Sequence, residues 1–417
     1  MSSTSAVDVA RLRRRVRAVL ITGQVLAGLG MGSTLSVGAL LFADLAGPAF
    51  SGMAATMSTI GAALAAVPLA ALANRRGRAP ALATGAAVAG SGAVLGILAA
   101  VLGFAPLLFL AIVFVGVGTA VNLQSRFAAT DLSEPRTRGR DLSLVVWATT
   151  VGAVSGPNLI APGDAFGQSI GLPEYAGPFI LTIGAQAAAA IVYLVGLRPD
   201  PLRIAAELSA AQAADPSVDV ALPVHDRGGV RTGMISIALS HATMVAVMAM
   251  TPVHLVEHGA TLVVVGVTIS LHVAGMFALS PVFGILSDRL GRLPTIGIGQ
   301  VLLLASLITA AAGAESQTAV VVALVLLGLG WSAATVAGSA LIAESADPLH
   351  RTRTQGRADL LMSSVGAAGG ALAGPVLFLI GYSGLSLAAM ALVATVGAVL
   401  VLRVLSLRDA ARVTAPS

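Results

Sequence analysis

Apolar residues along this 417-residue chain fall into runs of roughly 20, each closed by a short break bearing glycine, proline or arginine. No sustained apolar/polar alternation of the kind a half-buried strand needs is present. Runs of that length match the hydrocarbon thickness of a bilayer, and lipid cannot satisfy backbone N–H and C=O groups, so each must be a helix. Twelve spans are predicted, at about 18–43, 51–73, 80–103, 106–128, 142–162, 176–197, 232–254, 261–286, 294–313, 318–342, 358–380 and 384–405. The expectation is an all-α membrane protein. No small-residue cleavage site follows the first span, which is therefore expected to be retained.

The spans repeat. "ALANRRGR" at 71–78 is echoed by "ILSDRLGR" at 285–292, "RTRGRDL" at 136–142 by "RTQGRADL" at 353–360, and "GAVSGP" at 152–157 by "GALAGP" at 370–375. The starts are offset by 214, 217 and 218 residues (285 − 71, 353 − 136, 370 − 152). Three ordered echoes at a nearly constant offset predict two parallel six-helix repeats. The expected organisation is an N-terminal segment 1–17, a bundle 18–197, a linker 198–231, a second bundle 232–405 and a tail 406–417.

Charge placement then orients the chain. Lysine is absent, so all 24 basic residues are arginine, and they gather before span 1, in every second connection and in the tail. By the positive-inside rule both termini and the linker are expected in the cytoplasm. The net charge of +5 thus describes topology. With three Tyr, two Trp and arginines scattered over short loops, the chain lacks a nucleic-acid-binding surface pattern.

Gly284, Asp288, Arg289, Gly291 and Arg292 follow a G-x-x-x-D-R-x-G-R pattern, and Asn74, Arg75, Gly77 and Arg78 form a weaker copy. On these residues the chain resembles the major facilitator superfamily of secondary transporters, whose fold has twelve transmembrane helices in two six-helix repeats. The resemblance implies a carrier and not an enzyme, with Asp288, Arg289, Gly291, Arg292, Asn74, Arg75, Gly77 and Arg78 in gating. Asp288 suits the positive end of a neighbouring helix, expected to be span 11, which begins near Arg357 and Asp359. The first copy carries Asn74 in place of the usual aspartate, which predicts a latch weighted toward the second half. "GAVSGP" and "GALAGP" are close to a drug-antiporter signature without its trailing glycines, and are read as small residues that let helices pack closely.

Ionisable residues within spans are the default functional candidates, because burying them in lipid is costly. His241 and His272 lie well inside spans 7 and 8, and no deeply placed Asp or Glu is evident. Met244 and Met248 share a face of span 7 with His241; His272 and Met276 share a face of span 8. At ~1.5 Å per residue, Met244 and His272 fall ~15 Å below the outer surface, with His241 and Met276 at ~20 Å. Thioether and imidazole together favour copper, the cuprous ion above all, whereas Mg²⁺ and Mn²⁺ want oxygen. Methionine also fills gaps in apolar helices, and Met53 and Met57 repeat the spacing on span 2, so the methionine pair alone carries little. A histidine–methionine pair at matching depth on the next span carries more.

Met244-x-x-x-Met248 and His272-x-x-x-Met276 resemble the paired motifs of the CcoA-type copper importers, a bacterial branch of the superfamily that supplies copper for cbb3-type cytochrome oxidase. That resemblance implies copper as transported substrate with no resident cofactor, Met244, Met248, His272 and Met276 as ligands, a bacterial cytoplasmic membrane, and a cytoplasmic copper chaperone as partner. His241 is a candidate fifth ligand. Cysteine, implicated in some members, is absent here. His254, His258, Met53 and Met57, near the outer ends of spans 7 and 2, are candidates for an inlet. The competing expectation is a carrier of a small organic molecule, a flavin-like importer or a drug exporter, dependent on Asn122, Gln124 and Arg126.

Overall fold

The computed structural model describes residues 3–47, 50, 53–213 and 226–414; part of the expected linker, 214–225 with His225, lies outside them. The described residues form helices and no strand. In chain order these are α1 (Ser3–Ala46), α2 (Met53–Arg76), α3 (Arg78–Leu102), α4 (Ala105–Ala128), α5 (Arg138–Asn158), α6 (Ile160–Ser169), α7 (Gly177–Gly196) and α8 (Pro201–Ala213). There follow α9 (Arg227–Glu257), α10 (Leu262–Phe277), α11 (Ser280–Leu290), α12 (Arg292–Ala312), α13 (Gln317–Ser345) and α14 (Arg351–Thr414). Nine helical stretches among the described residues are long and apolar enough to cross a membrane, and one of them, Arg351–Asp409, has 59 residues. At ~1.5 Å per residue that stretch is far longer than one crossing. Gly381, at φ 71°, breaks it into spans 11 and 12.

Three of the departures from the expected boundaries have a clear local reason. α1 starts at Ser3, well before residue 18, because Ala, Leu and Arg favour helix and neither Gly nor Pro intervenes before Gly23. Its arginines are tied down: Arg13 donates to the Leu132 carbonyl at 2.8 Å and pairs with Glu134 at 2.7 Å, and Arg17 pairs with Asp141 at 2.6 Å. Span 8 is split into α10 and α11. Pro281 has no N–H for the Phe277 carbonyl four residues back, and the Ser280 hydroxyl donates to that oxygen instead at 2.7 Å. α8 adds a helix within the expected linker.

Two compact units make up the described chain. The first holds residues up to Glu134, those from Asp141 through α8, and His350–Ser363, the start of α14. The second holds Pro135–Arg140, α9 to α13 up to Leu349, and α14 from Ser364. The first unit has its apolar core around Leu20, Leu82, Val121 and Tyr193, and a second cluster around Phe42, Ile112 and Phe179. In the same unit α1 and α5 approach through Gly28 and Gly152, where a Cβ on Gly152 would lie 2.4 Å from the Gly28 backbone. This is the close packing expected of small residues. The core of the second unit gathers Met244, Met276, Leu303, Leu327, Trp331 and Tyr382.

Candidate functional site

The repeated turns form the same structure twice. Gly77 and Gly291 both sit at φ near +100°, a conformation that leaves glycine as the natural occupant, and each is immediately followed by a helix, α3 or α12. In the second unit Asp288 accepts from the backbone N–H groups of Gly139 and Arg140, both at 2.8 Å, and from Arg292 at 2.5 Å. Arg292 also reaches Glu344 at 3.1 Å and the Pro135 carbonyl at 2.9 Å. The helix that receives the Asp288 carboxylate is thus α5, and not span 11 as expected. Loop 135–140 belongs to this unit, and its N–H groups are the unsatisfied donors that a helix start presents. Arg289 is exposed.

In the first unit Asn74 and Arg75 are exposed, and a carboxylate from outside the turn caps the helix that follows it. Asp200 accepts from the Ala79 N–H at 2.9 Å, at the start of α3. Arg78, buried, makes a two-point contact with Asp131 at 2.8 and 3.1 Å and donates to Gln355 at 2.7 Å. The α14 start settles on α2 here, with Gly356 against Ala70, just as Gly139 settles on Gly284 in the second unit.

All four expected ligands fall in the second unit, three of them (Met244, Met248 and Met276) in one apolar cluster, though α9 and α10 are not two helices facing one another. α9 and α10 touch little and both pack chiefly along α13. Glycines set that closeness. A Cβ on Gly328 of α13 would fall 2.4 Å from the His272 carbonyl and 2.9 Å from the Met276 N–H, and one on Gly275 would fall 2.9 Å from the Val325 carbonyl. With the backbones this near, His272 Nδ1 sits 2.8 Å from the Leu324 carbonyl. A carbonyl only accepts, so Nδ1 carries the proton and Nε2 of the neutral ring keeps its lone pair. That Nε2 is buried and has no hydrogen-bond partner among the described residues. Met244 and Met276 are buried in the unit's apolar core and Met248 packs against it.

His241 is placed differently. Its Nδ1 accepts a hydrogen bond from Trp331 Nε1 at 3.0 Å, and Gly366 of α14 leaves room for its ring. Among the described residues no three His, Asp or Glu side chains gather as a metal-holding group. At the C-terminal end of α9, His254 is buried, stacks on Tyr382 (4.2 Å, 8° between planes) and meets the Ala314 carbonyl through Nε2 at 2.8 Å. His258 bonds the His254 carbonyl through Nδ1 at 2.8 Å and lies 3.7 Å from Glu315. Met53 and Met57 pack against the Phe42 cluster of the first unit.

The polar residues of α4 are also engaged. Asn122 donates to Thr149 at 3.1 Å, Gln124 to the Ala66 carbonyl at 2.9 Å, and Arg126 to Asp359 at 2.6 Å. Asp359 is fully buried within the protein, although the sequence places it only at the start of span 11. Sequence reasoning leaves it at the boundary of span 11, where an acid is ordinarily solvated. Trp331 was also missed; the signal available was an aromatic residue in the middle of an apolar span.

Long apolar helices carrying twice-built turns make this a multi-pass membrane transporter. The chain belongs to the Major Facilitator Superfamily, whose sequence profile matches residues 17–227 and 233–417. It is 40% identical over 383 residues to the uncharacterized MFS-type transporter YddS of Bacillus subtilis (strain 168), covering 90% of this chain and 88% of that protein. It is 28% identical over 406 residues to the riboflavin transporter RfnT of Brucella anthropi, covering 95% of this chain and 97% of that one. Among solved structures, the human organic anion transporter MFSD10 (TETRAN) matches with a TM-score of 0.74 at 16% identity, over 93% of this chain and 99% of that one, a likeness of fold alone.

Proposed function

We propose that this secondary transporter imports copper across the cytoplasmic membrane of a bacterium by alternating access, with Met244, Met248, His272 and Met276 holding the ion. The observation that carries the reading is His272: its Nδ1 is fixed by the Leu324 carbonyl while its buried Nε2 lone pair has no partner. Metal-bound histidines commonly show this arrangement, in which one nitrogen donates to a carbonyl and the other faces the ion. An unpaired buried nitrogen is otherwise a cost. Thioethers on the same two helices would supply neutral, soft donors that need no deprotonation and release the ion more readily than thiolates. In this reading the delivered copper passes to a cytoplasmic chaperone and serves cbb3-type oxidase assembly.

The test is radioactive copper accumulation in cells producing the wild type, Met248→Ala and His272→Ala at matched membrane levels. Both substitutions are expected to abolish uptake; uptake at the wild-type rate in both would refute the reading. A second reading, import of a flavin-like organic molecule, draws on the 28% identity to a riboflavin transporter along nearly the full chain. Riboflavin uptake that survives both substitutions, with no copper uptake in the wild type, would replace the first reading with the second.

A further inference from the structure

Trp331 lies where the two ligand-bearing helices come closest to sharing a wall. From α9, His241 accepts its indole N–H at 3.0 Å, and His241 is three residues before Met244. From α10, Phe277 meets the indole edge to face, with centroids 5.7 Å apart and planes at 84°, and Phe277 directly follows Met276. On α13 itself, Leu324, Gly328 and Trp331 are spaced so as to share one face: the first holds His272, the second admits the α10 backbone, and the third is the indole. Trp331 is 5% exposed.

We infer that the Trp331 indole forms one wall of the copper site, its π face against the cuprous ion, and that His241 acts through Trp331 as a positioning residue. The inference rests on the copper reading above. Membrane tryptophans usually sit at the interface, where the N–H finds water. This one is deep, and its N–H is satisfied by a histidine whose Nδ1 lone pair is thereby committed. Such a bond fixes the ring about its long axis. An aromatic face is rich in negative potential and attracts a cation, more strongly where water is excluded. Three thioethers and an imidazole leave the ion singly charged, and an indole face adds attraction without adding a ligand that must be released by protonation.

The experiment uses the full chain in detergent with Trp147→Phe, which leaves Trp331 the sole tryptophan, since the chain has two. Silver(I) serves as the probe, being a redox-inert ion of the same charge and softness as Cu(I). Its titration is expected to quench Trp331 emission saturably, with the midpoint of silver retention measured by elemental analysis. Trp331→Leu is expected to weaken silver retention roughly tenfold, and Trp331→Phe less, because a ring face remains. His241→Gln is expected to broaden the response while retention stays within a few-fold. If silver is retained by the wild type but Trp331 emission does not move and Trp331→Leu retains silver as well, this inference falls while the copper reading stands. If the wild type retains no silver and accumulates no copper, both fall together. The emission measurement leaves residue 331 intact, so a misfolded leucine variant would not obscure the result.

Discussion

Arg126 and Asp359, 233 residues apart in sequence, meet at 2.6 Å with both side chains sealed from solvent. Arg126 Nε and Asp359 Oδ2 have no further partner, so the pair is bonded at one point only. Removing one member strands a buried charge, whereas removing both leaves an apolar contact. Arg126→Met and Asp359→Leu are each expected to destabilise the protein by ~3–5 kcal/mol, and the double substitution by far less. Thermal unfolding in detergent, compared as a double-mutant cycle, checks this; a double variant no more stable than the worse single would contradict it.

Gly328 sets how closely α10 approaches α13. Gly328→Ala would place a methyl 2.4 Å from the His272 carbonyl, and an overpacked contact of this kind costs about 1–3 kcal/mol. Substrate uptake should fall more than stability does, because the shift is felt first at His272 and Met276. Gly297→Ala is the control: nothing lies within 4 Å of its Cβ position, and a helix-interior alanine is worth roughly 0.5–1 kcal/mol. Uptake and melting temperature measured on both variants separate a packing defect from a general loss of glycine.

The turn residues predict an asymmetry between the repeats. Asp288→Asn should impair transport, because the carboxylate neutralises Arg292 and receives two N–H groups of α5. Asn74→Asp should leave transport unchanged, since residue 74 is exposed and Asp200 already serves the start of α3. Gly77→Ala and Gly291→Ala should each cost roughly 1–3 kcal/mol through strain at positive φ. Uptake rates for the first two and melting curves for the last two are the checks.

His254 and His258 give a test of the inlet. If they relay copper inward, replacing both with Phe should slow uptake at limiting copper and leave the maximal rate near wild type. Phenylalanine at 254 preserves the ring stacked on Tyr382 while removing the nitrogen that meets Ala314. Unchanged uptake at every copper concentration would reduce the pair to a structural clasp.

Much of the fold was legible because it depends on patterns that survive in one dimension. Span length, arginine placement and the twin glycine-arginine turns are such patterns, and Gly77 and Gly291 indeed occupy matching backbone states. Helical spacing pairs Met244 with Met248 and His272 with Met276, because each pair shares a face of its helix. What escaped depends on a third partner. His272 is tethered by Leu324 and Trp331 binds His241, both on a helix that carries no motif. Asp359 escaped because a boundary residue looks solvated until the arginine that sequesters it is known. The division of span 8 was written in Pro281, which the hydropathy pattern alone passes over.

All four proposed ligands, with Trp331 and His241, belong to the second unit. An ion held wholly inside one rigid body has the same affinity however that body is placed against another, so occupancy by itself cannot tilt the exchange between outward and inward states. On the copper reading, any drive the ion supplies comes from deforming the unit that holds it. Pro252, four residues beyond Met248, and Pro281, five beyond Met276, mark where its helices yield most easily. Stiffening those two points should leave an occupied carrier that moves nothing.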